Sequence, residues 1–137
     1  MKIIDASGCI VGRLASSVAK GLLNGEQIHV INAEQAVISG TKKMVFTEYV
    51  EKRNLNHPRK GPYYPRMPHM MLKRAVRGMI PYQKPRGREA FKRLKVDVGK
   101  PASLSDEKIV MFDGAKMKKS SKYVTLGDVS KVLGAKF

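Results

Sequence analysis

Residues 1–40, MKIIDASGCIVGRLASSVAKGLLNGEQIHVINAEQAVISG, carry two hydrophobic periods in succession. Met1 to Ala6 is a short apolar segment that reads as a strand, and Ser7-Gly8 follows as a turn and helix cap. From Ile10 the apolar residues Val11, Leu14, Ala15, Val18 and Leu22 recur at helical spacing until Asn24-Gly25 stops them. Gln27 to Ala33 is rich in β-branched residues and Ala36 to Ile38 ends at Ser39-Gly40, so two further strands are expected. Strand, helix, strand is the pattern of a parallel α/β unit. A second helix is expected from Lys42 to Arg53, with Val45, Phe46, Tyr49 and Val50 on its buried side.

The turn ASGCIVGR joins a strand to a helix, which raises the question of a nucleotide site. Gly8 and Gly12 match neither dinucleotide-binding nor P-loop spacing, so the turn reads as tight packing. Arg13 stands where it can meet a phosphate of a large partner. Cys9 has no second cysteine to pair with and reads as a small buried hydrophobe.

Charge divides the chain sharply. Between Lys52 and Lys95 stand fourteen Lys or Arg residues against one acid, Glu89, whereas residues 1–51 balance five bases with five acids. The net charge of +16 is therefore concentrated in one segment of a chain of 137 residues. A neutral domain with one cationic segment is suited to holding a polyanion. The length suits a single domain, residues 1–137. No apolar leader or run of membrane-spanning length is visible, so a soluble, cytoplasmic protein is expected. Three scattered histidines and one cysteine fit no common zinc spacing, and no cofactor is expected.

Within the block, residues 54–68 (NLNHPRKGPYYPRMP) hold four of the seven prolines and read as an extended, partly rigid arm. Arg59, Lys60, Tyr63, Tyr64 and Arg66 interleave cations with aromatic faces there, which suits RNA. The competing role for the two tyrosines is to pin the arm to the domain. Pro68 opens a helix that turns Leu72, Ala75, Val76 and Met79 inward and Lys73, Arg74 and Arg77 outward. Those three bases lack an acidic neighbour four residues away and repel one another until an outside anion neutralises them. Pro81 to Pro85, including Lys84, breaks the helix. Arg86-Gly87-Arg88 then leads into a short helix with Ala90, Phe91 and Leu94 inward and Arg88, Lys92 and Lys95 as an outer stripe, with Arg93 among the binding candidates. Val96 and Val98 alternate with charged residues as a fourth strand before Gly99.

After Pro101 the pattern weakens. Ser105 to Glu107 is a polar turn, Ile109 to Phe112 a short apolar piece, and residues 116–122 a second basic loop that adds Lys118 and Lys119 to the candidates. A last helix is expected from Thr125 to Gly134, capped by Thr125 with Asp128, and docked through Leu126, Val129, Val132 and Leu133.

Val76 to Gly99, VRGMIPYQKPRGREAFKRLKVDVG, resembles the signature of the universal large-subunit ribosomal protein L-thirteen family in its archaeal and eukaryotic form. Asp5 to Ser16, Val30 to Gly40 and Tyr123 to Ala135 also resemble family segments, so the likeness runs through nearly the whole chain. The resemblance implies a three-layer α/β/α domain with a four-stranded parallel sheet and basic extensions. It further implies large-subunit ribosomal RNA and neighbouring ribosomal proteins as partners, a part in subunit assembly and translation, and no enzymatic activity. Two other classes are weaker on the residues themselves. A metal-dependent nuclease needs clustered carboxylates, and only Asp5 and Glu34 could approach each other. Membrane attachment needs an exposed apolar face or a lipid, and no small-molecule substrate is suggested.

Overall fold

The computed structural model describes residues 1–55, 57, 59–104, 109–111, 113–116 and 122–137. The first half comprises β1 (Lys2–Asp5), α1 (Val11–Leu23), β2 (Ile28–Ile31), β3 (Val37–Ser39) and α2 (Lys42–Asn54). The second half comprises α3 (Pro68–Arg77), α4 (Pro85–Lys92), β4 (Leu94–Val96), β5 (Ile109–Met111), β6 (Tyr123–Thr125) and α5 (Leu126–Val132).

The expected four-stranded parallel sheet is present, in the order β4-β2-β1-β5. Ile3 stands opposite His29 and Ile109, and Val30 opposite Val96. Alternation along the strands sorts side chains between the two faces. Ile4, Ile28, Val30, Leu94 and Val96 join the main core, where Leu14, Val18 and Leu22 of α1 meet Leu72 and Val76 of α3. Ile3 and Ile31 point the other way and pack with Leu104 of the 3-10 turn Ala102–Leu104 and with Ile109, the covering that the described residues give this face. Each fully buried leucine contributes about 1.5 to 3 kcal/mol relative to exposure. Buried on that second face, His29 pairs through Nε2 with Asp97.

Five details differ from the sequence reading, the first being Met79, expected on the buried side of α3 but lying past its end at Arg77 and 45% exposed. The Ala36–Ile38 stretch does not extend the parallel sheet: β3 pairs antiparallel with β6, Val37 against Thr125 and Ser39 against Tyr123. Asn32, at a left-handed φ of 56°, and the 3-10 turn Ala33–Gln35 redirect the chain before it can return to the sheet. The strand expected around Val96 and Val98 begins earlier, because α4 ends at Lys92 and Leu94 already pairs with Ile28. Lys95 is therefore a strand residue, and the expected stripe Arg88, Lys92, Lys95 breaks after Lys92. In α5, Val132 is 47% exposed, while Val129 and Ser130 are buried. Along α2 only Val45 is fully buried, and Phe46, Tyr49 and Val50 are half-buried at the rim.

Candidate nucleic-acid interface

Two prolines start the helices that display the cations. Pro68 and Pro85 each occupy the first turn, where a missing N–H costs nothing and the fixed φ suits the helix. Burial of Met71, Leu72 and Val76 fixes the roll of α3, which leaves Lys73, Arg74 and Arg77 at the outer side, half-exposed. Burial of Gly87 and Ala90 does the same for α4, leaving Arg86, Arg88 and Lys92 exposed. Lys84 is the exposed N-cap residue of α4.

The arm between α2 and α3 has no regular helix or strand among its described residues, yet it is anchored. His57 N–H donates to the Gly61 carbonyl at 2.9 Å, and Gly61 N–H returns to the His57 carbonyl at 3.3 Å. Arg53 donates to the Tyr64 carbonyl at 3.1 Å, and Arg74 to the Tyr63 carbonyl at 3.2 Å. The Tyr64 ring meets Tyr49 of α2 edge-on at 6.0 Å, so Tyr64 takes the pinning role. Burial, then the neighbouring Tyr64 and Glu48, pushes the Tyr49 phenol up to about 12. Burial also raises Tyr64, with Arg74 pulling the other way. Tyr63, in contrast, is 64% exposed. Arg59 and Lys60 occupy an exposed turn at the arm's tip, and Arg66 is exposed where the arm approaches α3.

Arm, α3 and α4 together enclose an open cavity of about 440 Å³. Arg53, Arg66, Lys73, Arg74 and Arg77 line it, together with Tyr63, Tyr64, Met70 and Phe91, and among the described residues no carboxylate does. Lys73 Nζ lies 5.3 Å from the centre of the Phe91 ring, and the Arg77 guanidinium 5.2 Å from that of Tyr82. Tyr82 in turn meets Phe91 edge-on at 5.5 Å. Ion pairs among the described residues join Lys2 to Glu26, Lys52 to Glu48 and His29 to Asp97, and none includes a cavity-lining cation.

The structure thus gathers Tyr63, Tyr64, Arg66, Lys73, Arg74 and Arg77 around one cavity, with Arg86, Arg88 and Lys92 on the adjoining helix. Arg93 is used inside the fold: its guanidinium donates to the Leu22 carbonyl at 2.6 Å, closing the end of α1. Lys118 and Lys119 lie outside the described residues. Arg53, Met70 and Phe91 were missed as lining residues. Arg53 carried one signal, since it ends a helix immediately before a proline-rich arm.

The carboxylates considered for catalysis have structural tasks. Asp5 Oδ1 accepts from Ser7 N at 2.9 Å, Ser7 Oγ at 2.7 Å and Asn32 Nδ2 at 3.1 Å. Burial raises its pKa, but those hydrogen bonds and the charge of Lys116 outweigh burial and hold it below 3.8. Glu34 accepts from Gly99 N–H at 2.9 Å. Among the described residues no group of three or more His, Cys, Asp or Glu could hold a metal ion. A second cavity of about 550 Å³ is lined by Glu34 and Asp128 beside Lys131, an arrangement unsuited to a polyanion. No described helix is long and apolar enough to cross a membrane.

Fold and surface define a small parallel α/β protein with one strongly cationic, aromatic-bearing flank. The family model described as ribosomal protein L13 matches residues 1–103, and the chain belongs to that family, whose members are structural proteins and not enzymes. It is 54% identical to large ribosomal subunit protein uL13 of Methanococcoides burtonii, with all of both chains covered. The protein of that name from Methanocaldococcus jannaschii is 51% identical, again over the whole of both chains. That from Methanopyrus kandleri is 44% identical over 96% of this chain and 86% of its own.

Proposed function

We propose that this chain is a structural component of the cytoplasmic large ribosomal subunit and grips large-subunit ribosomal RNA through the flank formed by the arm, α3 and α4. The observation that carries this reading is the cavity lined, among the described residues, by five cations and no carboxylate. Such a surface is unfavourable alone, because like charges repel, and a polyanion relieves it. Phosphate neutralisation by Arg59, Lys60, Arg66, Lys73, Arg74, Arg77, Lys84, Arg86, Arg88 and Lys92 supplies affinity, with Lys118 and Lys119 as a second contact. Direct base reading is minor, since A-form RNA is recognised mainly by shape, 2′-hydroxyls and unpaired bases. The anchored arm and the two helices present these groups in a fixed arrangement, so RNA segments bound to them are held in one mutual geometry during subunit assembly. Neighbouring large-subunit proteins then meet the remaining surface. Arg93 is assigned to the fold.

The test is binding to large-subunit ribosomal RNA across a salt series. With about 6 to 10 phosphate contacts, affinity should fall on the order of 10³- to 10⁵-fold between 50 and 200 mM salt. A variant with Arg66, Arg77, Arg88 and Lys92 changed to Ala should lower the logarithmic slope by about 3 to 4. Arg74 is kept because it also holds the arm. An unchanged slope in the folded variant removes the flank from the interface.

A further inference from the structure

Resting on that reading, we infer that the cavity between the arm and α3 is a seat for one unstacked nucleotide of single-stranded RNA, its base stacked on Tyr63 and its phosphates held by Arg66 and the α3 cations. Three observations point to a nucleotide and away from a duplex. The volume of about 440 Å³ lies toward the lower end of the ~300 to 1,000 Å³ of small-ligand clefts, so it admits one ring system and not a helix. The wall combines aromatic and thioether surface from Tyr63, Met70 and Phe91 with cations, which are the two kinds of partner that a base and its phosphate require.

The third observation separates Tyr63 from the other aromatic residues nearby. Tyr64 is engaged by Tyr49, Phe91 by Tyr82 and Lys73, and Tyr82 by Arg77. No described ring or cation packs on Tyr63. It is nevertheless held in place: its carbonyl accepts from Arg74, and its ring lies so close to Gly61 that an added Cβ would come within 2.8 Å of Cδ2. An exposed ring that is already positioned loses little freedom when a base stacks on it. An acidic peptide could satisfy the cations, but it would leave the Tyr63 face and Met70 without a planar partner.

Methionine-methyl NMR on the intact chain tests the seat, because Met70 lines the cavity and is half-exposed, while Met44 is exposed elsewhere. The probe is a single-stranded oligoadenylate of about eight nucleotides, within the usual footprint of single-strand sites. Its duplex with oligouridylate and an oligoglutamate peptide are compared. The expected result is a ring-current shift of the Met70 methyl, with Met44 still, for the single strand alone. Tyr63→Ala should weaken single-strand binding roughly 5- to 150-fold, the loss of one stacked base, without altering the salt slope. Tyr63→Phe should retain affinity. Both variants keep the backbone carbonyl that Arg74 uses, so the arm stays anchored. A silent Met70, an equal shift with duplex or oligoglutamate, or a Tyr63→Ala variant that binds like the parent overturns the seat. Ribosomal RNA binding measured alongside separates the two readings: bound RNA with a silent Met70 removes only the seat. Oligoadenylate that shifts Met70 in a protein without preference for ribosomal RNA supports the seat and removes the proposed grip of the flank on ribosomal RNA.

Discussion

Replacing Gly87 by alanine sets two physical effects against each other. Gly87 lies within α4, where helix propensity alone favours alanine by about 1 kcal/mol. Its Cα, however, faces the turn before the helix. A Cβ there would fall 2.0 Å from the Pro81 carbonyl oxygen, 2.4 Å from the Pro81 carbonyl carbon and 2.9 Å from Tyr82 N. All three are backbone atoms, so relief requires moving the helix or the turn by about 1 Å, and close-packed interiors yield poorly to that. The Pro81 carbonyl also accepts from Lys84 N–H at 3.0 Å, a bond that holds the turn. Overpacking costs about 1 to 3 kcal/mol and a disturbed hydrogen bond about 0.5 to 1.5, so the clash outweighs the gain. Gly87→Ala should therefore be destabilised by about 1 to 3 kcal/mol in urea unfolding. Gly12→Ala, in a helix position with nothing within 4 Å, is the counterpart and should be neutral or stabilised by up to about 1 kcal/mol. Displaced α4 also moves Arg86, Arg88 and Lys92, so the Gly87 variant should bind RNA more weakly although no charge is removed. Stability of Gly87→Ala equal to or above that of the parent refutes the reasoning, and the docking of α4 on the Pro81 turn with it.

Arg93→Ala removes the guanidinium that closes the end of α1; we expect a loss of about 1.5 to 3 kcal/mol in urea unfolding, with no change in the RNA salt slope. A slope that becomes shallower with stability intact would return Arg93 to the RNA interface. Tyr49 is raised from 10.0 to about 12 in the fold, so its protonated form contributes stability that is complete below pH 10 and lost as pH rises through about 12. Tyr49→Phe should abolish that alkaline loss, read as a urea midpoint that falls less steeply above pH 10 than in the parent. Asp5 is lowered, so its contribution is present above its unfolded value of 3.8 and lost as pH falls through the lower folded value. Asp5→Asn should be less stable at neutral pH and decline less on acidification below pH 4, checked by thermal melts across that range.

Local patterns carried much of this fold. β1, α1 and β2 are distinguishable within residues 1–31 because period and turn chemistry change together. Pro68 and the Thr125 cap, whose side chain accepts from Asp128 N at 3.2 Å, locate two helix starts with a mechanism, whereas Pro85, read as the end of a break, is itself the first residue of α4. Pairing was not legible. β3 is a run of three residues, too short for its period to name a partner, and β6 lies more than eighty positions away. At the candidate interface, charge singled out a segment but could not separate Arg93 from Lys92, because adjacent residues at a helix end differ only in which way the chain turns next. The two tyrosines of the arm pose the same problem. Neighbours in sequence, they divide between anchoring and exposure only once Tyr49 and Gly61 are placed.

That division shows how a chain can be both strongly cationic and well packed. Residues 1–51 are neutral and supply the centre of the sheet, α1 and most of α2, so much of the core is free of charge repulsion. The cationic segment then reaches that frame through apolar anchors, Leu72 and Val76 from α3, Ala90 from α4 and Tyr64 from the arm. Each anchor lies within a few residues of the cations it positions, so hydrophobic burial, which salt weakens little, holds groups whose attraction for any polyanion salt would screen strongly. Affinity should consequently vary steeply with ionic strength while the geometry of the flank does not. If the flank grips RNA as proposed, specificity should survive in the salt range where binding weakens, because it would reside in the placement of arm, α3 and α4 and not in the number of charges.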